Sequence, residues 1–125
     1  MKRIVAALVC LILPASATAA SWVSVANCGE PGELRAYSYD PGSIRRNGEA
    51  RSVRVRGDYS QHATSKAREA QMLWSFDCSA RTFTEGSRTD YDNRRRVIER
   101  YKKPTSAMRV MPDSVADKVL AVVCA

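Results

Sequence analysis

Histidine occurs once in the chain, at His62, inside the polar stretch Gln61-His62-Ala63-Thr64-Ser65-Lys66. A general base needs a partner that positions it, and a solitary histidine in such a stretch reads as an exposed structural residue. The sequence contains no G-x-S-x-G, no H-E-x-x-H and no glycine-rich phosphate loop, so the usual signatures of serine hydrolases, zinc proteases and nucleotide hydrolases are missing. No two cysteines form a C-x-x-C pair, which argues against a zinc site made from cysteines and His62. Asp77 and Asp90 as paired carboxylates, or Cys28 with His62 as nucleophile and base, are weak constellations. Asp77 is expected to face solvent beside a disulfide, and nothing in the sequence argues for an activated thiol at Cys28. A small secreted hydrolase or nuclease, with arginine steadying phosphate, is the least implausible enzyme. The expectation is no enzyme, no metal and no cofactor. Acidic residues are also in the minority, 13 against 20 lysines and arginines. Beyond residue 20 no apolar run approaches the roughly 20 residues needed to span a bilayer.

The first residues have a different character. Lys2 and Arg3 precede an unbroken apolar run from Ile4 to Leu13, Pro14 ends it, and Ala17-Thr18-Ala19-Ala20 follows. This is the pattern of a secretory signal with an A-x-A cleavage site. Residues 1–20 are therefore expected to be removed, leaving residues 21–125 as one domain outside the cytoplasm, in the periplasm, at the cell surface or secreted. Cys10 follows Val9, so the small residue that a lipid-attachment site needs is lacking. Lys2 and Arg3 account for two of the seven net positive charges. The remaining excess is mainly arginine, whose planar guanidinium suits carboxylate, sulfate or phosphate.

Cys28, Cys78 and Cys124 remain after cleavage. An odd count in an exported protein means one bridge and one leftover thiol, or a link between chains. Three pairings are open. Cys78–Cys124 is favoured, because Cys78 ends a strongly patterned strand and Cys124 follows a helical pattern that must dock. Closing that loop contributes about 4 kcal/mol in the chain-entropy description. Cys28 is left free or available to link a dimer.

Met72, Trp74, Phe76 and Cys78 alternate with Gln71, Leu73, Ser75 and Asp77, which predicts a half-buried strand. Val53 and Val55 alternate with Arg54 and Arg56 in a second strand with an arginine-bearing outer face. Asn47-Gly48 predicts the hairpin turn that leads into it. Trp22 to Ala26 and Leu34 to Tyr39 are shorter strand candidates, with Asp40-Pro41-Gly42 as turn chemistry after them. Arg81 to Tyr91 is rich in threonine and aromatic residues, and Asp92-Asn93 predicts the turn into Arg95 to Tyr101. Residues 60–68 read as an exposed connection, and Met108 to Met111 as a short strand. Near the end the period changes. Val115, Val119 and Val122 share one helical face, with Leu120 and Val123 beside it and Asp113 or Ser114 as the cap. The sum is an α+β fold of about six short antiparallel strands in hairpin order with one C-terminal helix packed on the sheet. One sheet face is expected to be apolar and the other wet and rich in arginine.

The order of short motifs Trp22-Val23, Tyr39-Asp40-Pro41-Gly42-Ser43-Ile44-Arg45-Arg46-Asn47-Gly48, Val53-Arg54-Val55-Arg56, Phe76-Asp77-Cys78, Tyr91-Asp92, Met111-Pro112-Asp113-Ser114 and Leu120-Ala121-Val122-Val123-Cys124 resembles the surface-adhesin protein E family of exported Gram-negative bacterial proteins. The resemblance spans nearly all of residues 21–125. It implies a twisted antiparallel sheet with a C-terminal helix stapled by Cys78–Cys124. It also implies surface display or periplasmic residence and, in adhesive members, binding of host extracellular-matrix proteins. Cys28 falls outside the matched pair, and no matrix-binding segment carries over. The candidate binding residues are therefore read from this chain itself. Arg45, Arg46, Arg54 and Arg56 are expected to line one sheet surface, and Arg94, Arg95 and Arg96 to stand exposed after the Asp92-Asn93 turn. Such a surface suits a protein, glycan or lipid of negative charge; nucleic acid is not expected as a partner outside the cytoplasm. A monomer or a dimer is open, as is a periplasmic accessory role without a host ligand.

Overall fold

The computed structural model describes residues 20–29 and 31–125. The expected signal segment therefore lies outside the described residues, apart from Ala20. The described chain is one antiparallel sheet with a helix at its end. The strands are β1 (Val23–Cys28), β2 (Arg35–Tyr39), β3 (Arg45–Asn47), β4 (Ala50–Asp58), β5 (Glu69–Asp77), β6 (Thr82–Tyr91), β7 (Val97–Tyr101) and β8 (Met108–Arg109). The helix is α1 (Val115–Val123).

The sheet has eight strands rather than about six. The difference arises because two lanes are each shared by two strands. β2 pairs with the second half of β4, and β3 with its first half. Between them Pro41–Ser43 forms a 3-10 turn, in which Asp40 Oδ1 accepts the Gly42 N–H at 3.0 Å. On the far side β7 pairs with one half of β6 and β8 with the other. Pro104 stands in the segment that connects them, and proline lacks the N–H that a continuous ladder requires. The main path through the sheet still runs through six strands, β1-β2-β4-β5-β6-β7. The expected hairpin is present, with Gly48 at φ 57 between β3 and β4.

Strand alternation decides which face is covered. Val53 sits opposite Trp74 and Val55 opposite Met72, and all four are buried with Phe76 and Ala70. Trp74, Phe76 and Phe83 pack ring to ring at centroid distances of 5.4 to 6.3 Å. Ala116, Val119, Leu120 and Val123 of α1 close over this apolar patch with Val110. The helical stripe differs slightly from the expected one. Ala116 belongs to it, whereas Val122 is 40% exposed.

A helix of nine residues is too short to persist alone in water, so its ends and its docking carry it. Ser114 Oγ accepts the Asp117 N–H at 3.1 Å, and Asp117 Oδ2 accepts the Asp113 N–H at 3.0 Å, a reciprocal N-terminal cap. Asp117 also pairs with Arg81 at 3.0 Å. At the other end Arg51 Nε donates to the Val123 carbonyl at 3.1 Å, satisfying one acceptor that a helix end leaves bare. The Cys78–Cys124 bond joins this end to β5 across a sequence separation of 46. Cys28 is an exposed free thiol.

Candidate functional site

Among the described residues, the opposite face of the sheet carries no helix. Alternation along β4 puts Arg54 and Arg56 there, opposite Leu73 and Gln71. Arg45 joins them through its pairing with Ser52. Arg46 does not. It is adjacent to Arg45, so its side chain leaves from the other side of the strand, and its register partner is Arg51, the residue that bonds the helix end. The expectation that Arg45, Arg46, Arg54 and Arg56 share one surface therefore fails at Arg46.

Local bonds hold this face in place. Ser43 Oγ accepts the Arg54 N–H at 2.8 Å, and Arg45 Nη1 donates to the Gly42 and Ile44 carbonyls at 3.0 and 3.1 Å. Arg54 Nη2 donates to Gln71 Oε1 at 3.2 Å. The Arg56 guanidinium lies 4.9 Å from the Trp22 ring centroid and 3.7 Å from Glu69 Oε1. Leu73, 39% exposed, stands among these polar groups. One shallow depression of about 620 Å³ is lined by Asp40, Ser43, Arg45, Ser52, Arg54 and Leu73. A second, of about 650 Å³, is lined by Arg56, Asp58, Arg68, Glu69, Asp92 and Arg95.

The second depression joins the sheet to the turn between β6 and β7. Asp92 organises that turn. Its Oδ1 accepts the N–H groups of Arg94 and Arg96 at 2.8 and 2.9 Å, and its Oδ2 accepts Arg96 Nε at 3.0 Å. The backbone N–H of Arg96, helped by that of Arg94 and by the Arg96 side chain, holds the Asp92 carboxyl below the ordinary 3.8 against the opposing effect of desolvation. Arg95 has φ 59, a left-handed geometry a non-glycine residue adopts only when its surroundings fix it. Arg96 is thus engaged within the turn, while Arg94 and Arg95 remain available. Nearby, Asp58 Oδ1 accepts the Ser60 N–H at 2.8 Å, and contact with Ser60 keeps that carboxyl below its usual value.

Among the described residues, ion pairs join Arg56 to Glu69, Arg81 to Asp117, Arg88 to Asp90 and Arg96 to Asp92. Arg45, Arg54, Arg94 and Arg95 take part in none of them. The structure therefore gathers Arg45, Arg54 and Arg56 on one face and brings Arg95 to its end. Arg68 and Leu73 complete the surface and escape a search for basic clusters. Arg68 lies in an irregular connection, where Nη1 donates to the His62 carbonyl at 3.1 Å. Leu73 is legible only as the apolar residue in the polar phase of β5.

Among the described residues, His62, Asp77 and Asp90 make local hydrogen bonds. His62 Nδ1 accepts backbone N–H groups of Ser65 and Thr64 at 3.1 and 3.4 Å, which makes it a turn anchor. Asp77 accepts the Ala80 N–H at one end of β5, whereas Asp90 pairs with Ala70 at the other. No helix of the described residues is long and apolar enough to cross a membrane.

A family model described as surface-adhesin protein E matches residues 22–125. The solved structure of crystal form II of Haemophilus influenzae protein E is similar to this fold, with a TM-score of 0.54 and 15% identity over 84% of this chain and 96% of that one. A second structure of Haemophilus influenzae protein E gives a TM-score of 0.51 at 15% identity, covering 70% of this chain and 76% of that chain. At such identity the likeness concerns the fold alone. No curated protein sequence matches the chain.

Proposed function

Because the chain belongs to the surface-adhesin protein E family, we propose that it is an exported, non-catalytic binding protein whose helix-free sheet face contacts acidic segments of a host matrix protein. One observation carries this reading. Arg45, Arg54 and Arg95 have no carboxylate partner among the described residues; Arg45 and Arg54 border the depression that holds exposed Leu73, and Arg95 borders the second. Guanidinium groups without an internal carboxylate present a fork matched to carboxylates. An apolar residue among them supplies area that loses water on contact. Arginine with scattered apolar anchors is the composition of protein interfaces. The face is also independent of the core, so its side chains are free to serve recognition.

Charge-led contact weakens with salt, because exposed charges more than about 8 Å apart are screened at physiological ionic strength. The test is capture of the protein from the native host's surface and culture medium by immobilised matrix proteins over a range of salt. Capture that falls steeply as salt rises supports the reading. Confinement to the periplasm with no capture at low salt removes it and leaves an accessory role inside the envelope.

A further inference from the structure

The helix-bearing face is not apolar throughout. Past Met72 it turns polar, because an extra residue at Gly86 shifts the register of β6 between Leu73 and Trp74. Glu85 then stands opposite Trp74, Arg88 opposite Met72 and Asp90 opposite Ala70. Tyr59, 6% exposed, packs over this end. Its ring is approached by the Arg35 guanidinium at 5.7 Å and by Arg88 at 6.0 Å. Gly57 leaves room for it, since a Cβ there would lie 3.1 Å from the Tyr59 hydroxyl and 3.3 Å from the Tyr37 ring.

Between these groups opens a cavity of about 460 Å³, lined by Arg35, Tyr37, Tyr59, Met72, Trp74 and Arg88. Its size is within the range of small-molecule sites, about 300–1,000 Å³. Three features define its chemistry. Arg88 is already matched, with Nε donating to Asp90 Oδ1 at 2.8 Å, whereas Arg35 joins no ion pair among the described residues. Trp74, 7% exposed, lines the cavity, and its indole N–H is buried without a hydrogen-bond partner among the described residues. Glu85 is the one acid in the lining, which disfavours a ligand with a second negative charge.

From this we infer that the cavity is a binding site for a small monocarboxylate with an aromatic or branched apolar body, its carboxylate on Arg35 and its body against Tyr59, Met72 and Trp74. Phosphate and dicarboxylates carry further negative charge, which Glu85 opposes. An amine is repelled by Arg35 and Arg88, which outnumber the single acid Glu85 in the lining. The site is on the other side of the sheet from the arginine face, and its occupancy is independent of that face.

The chain has two tryptophans, so Trp22→Phe leaves Trp74 as the sole indole reporter. Phenylacetate, phenethylamine and inorganic phosphate are titrated against this protein, and the Trp74 indole N–H resonance and fluorescence are followed. Phenylacetate is expected to shift the Trp74 signal saturably, and phenethylamine and phosphate to leave it in place. Arg35→Gln is expected to weaken phenylacetate about tenfold or more, as loss of a charged hydrogen bond requires. Lys118→Gln, on the exposed side of α1, leaves binding intact. A Trp74 signal unmoved by phenylacetate, moved equally by phenethylamine, or moved equally in a folded Arg35→Gln protein would overturn the site. Should Arg35→Gln fail to fold, the contrast between acid and amine on the Trp22→Phe protein decides.

Discussion

Two faces of one strand carry opposite chemistry in β4. Val53 and Val55 are fully buried beneath α1, while Arg54, one residue away, is exposed to solvent. On the first face each side chain is fixed by neighbours on β5 and the helix. On the second the side chains are held by local hydrogen bonds and by the contacts of Arg56 with Trp22 and Glu69, and no helix among the described residues covers them. The difference separates the residues that hold the fold from those free to touch a partner. The largest effects on stability should come from the covered face, and the open face should tolerate change.

The comparison can be pressed hardest at the tail. Cys124→Ser removes the link between α1 and β5 and is expected to cost about 4 kcal/mol, read as a lowered denaturation midpoint equal to that of the parent under reductant. Equal midpoints for oxidised parent and variant would mean that docking of α1 does not depend on the bond. Next comes Gly57→Ala, where the added methyl meets Tyr59 and Tyr37. Overpacking of this kind costs about 1–3 kcal/mol, and a neutral result in urea unfolding would show that the tyrosine pair can shift. Arg51→Ala removes the bond to the Val123 carbonyl and is expected to cost about 1 kcal/mol, with faster hydrogen exchange confined to α1. If exchange is unchanged there, Arg51 belongs with the open face instead.

The smallest effect concerns Asp92. Its folded carboxyl is held below the ordinary 3.8 by the N–H groups of the turn, Arg96 first. The support it gives is therefore complete above that value and is lost as pH falls through the folded one. Amide resonances of Arg94 and Arg96 should move together with that titration while those of Val53 and Phe76 stay still. Movement of both sets in one step would show that the turn and the core do not respond separately.

Much of this was readable in the sequence where periodicity was strong. The alternation from Met72 to Cys78 and from Val53 to Arg56 fixes both faces of β4 and β5, and the change of period after Ser114 marks α1. The break of one lane into β2 and β3, and of another into β7 and β8, was not readable, because a partner's half-length is a property of the sheet. Arg46 stands apart from Arg45 because adjacent strand residues point to opposite sides, which the clustering of basic residues in the sequence does not reveal. The cavity at Tyr59 was hidden for two reasons. It depends on the register shift at Gly86, and it joins Arg35, Tyr59 and Arg88, which stand far apart in the chain and come together only in the folded sheet. Arg68 lacked any signal, since irregular segments have no period.

The most direct test of the separation between the two faces uses Arg45→Ser, Arg54→Ser and Arg95→Ser combined in one protein. Its melting temperature and its capture by immobilised matrix protein at low salt are measured on the same preparation. Surface changes away from buried contacts cost within about 0.5 kcal/mol each, so the expected result is a melting temperature lowered by only a few degrees and capture weakened tenfold or more. Undiminished capture by the folded triple variant would contradict the assignment of recognition to the helix-free face.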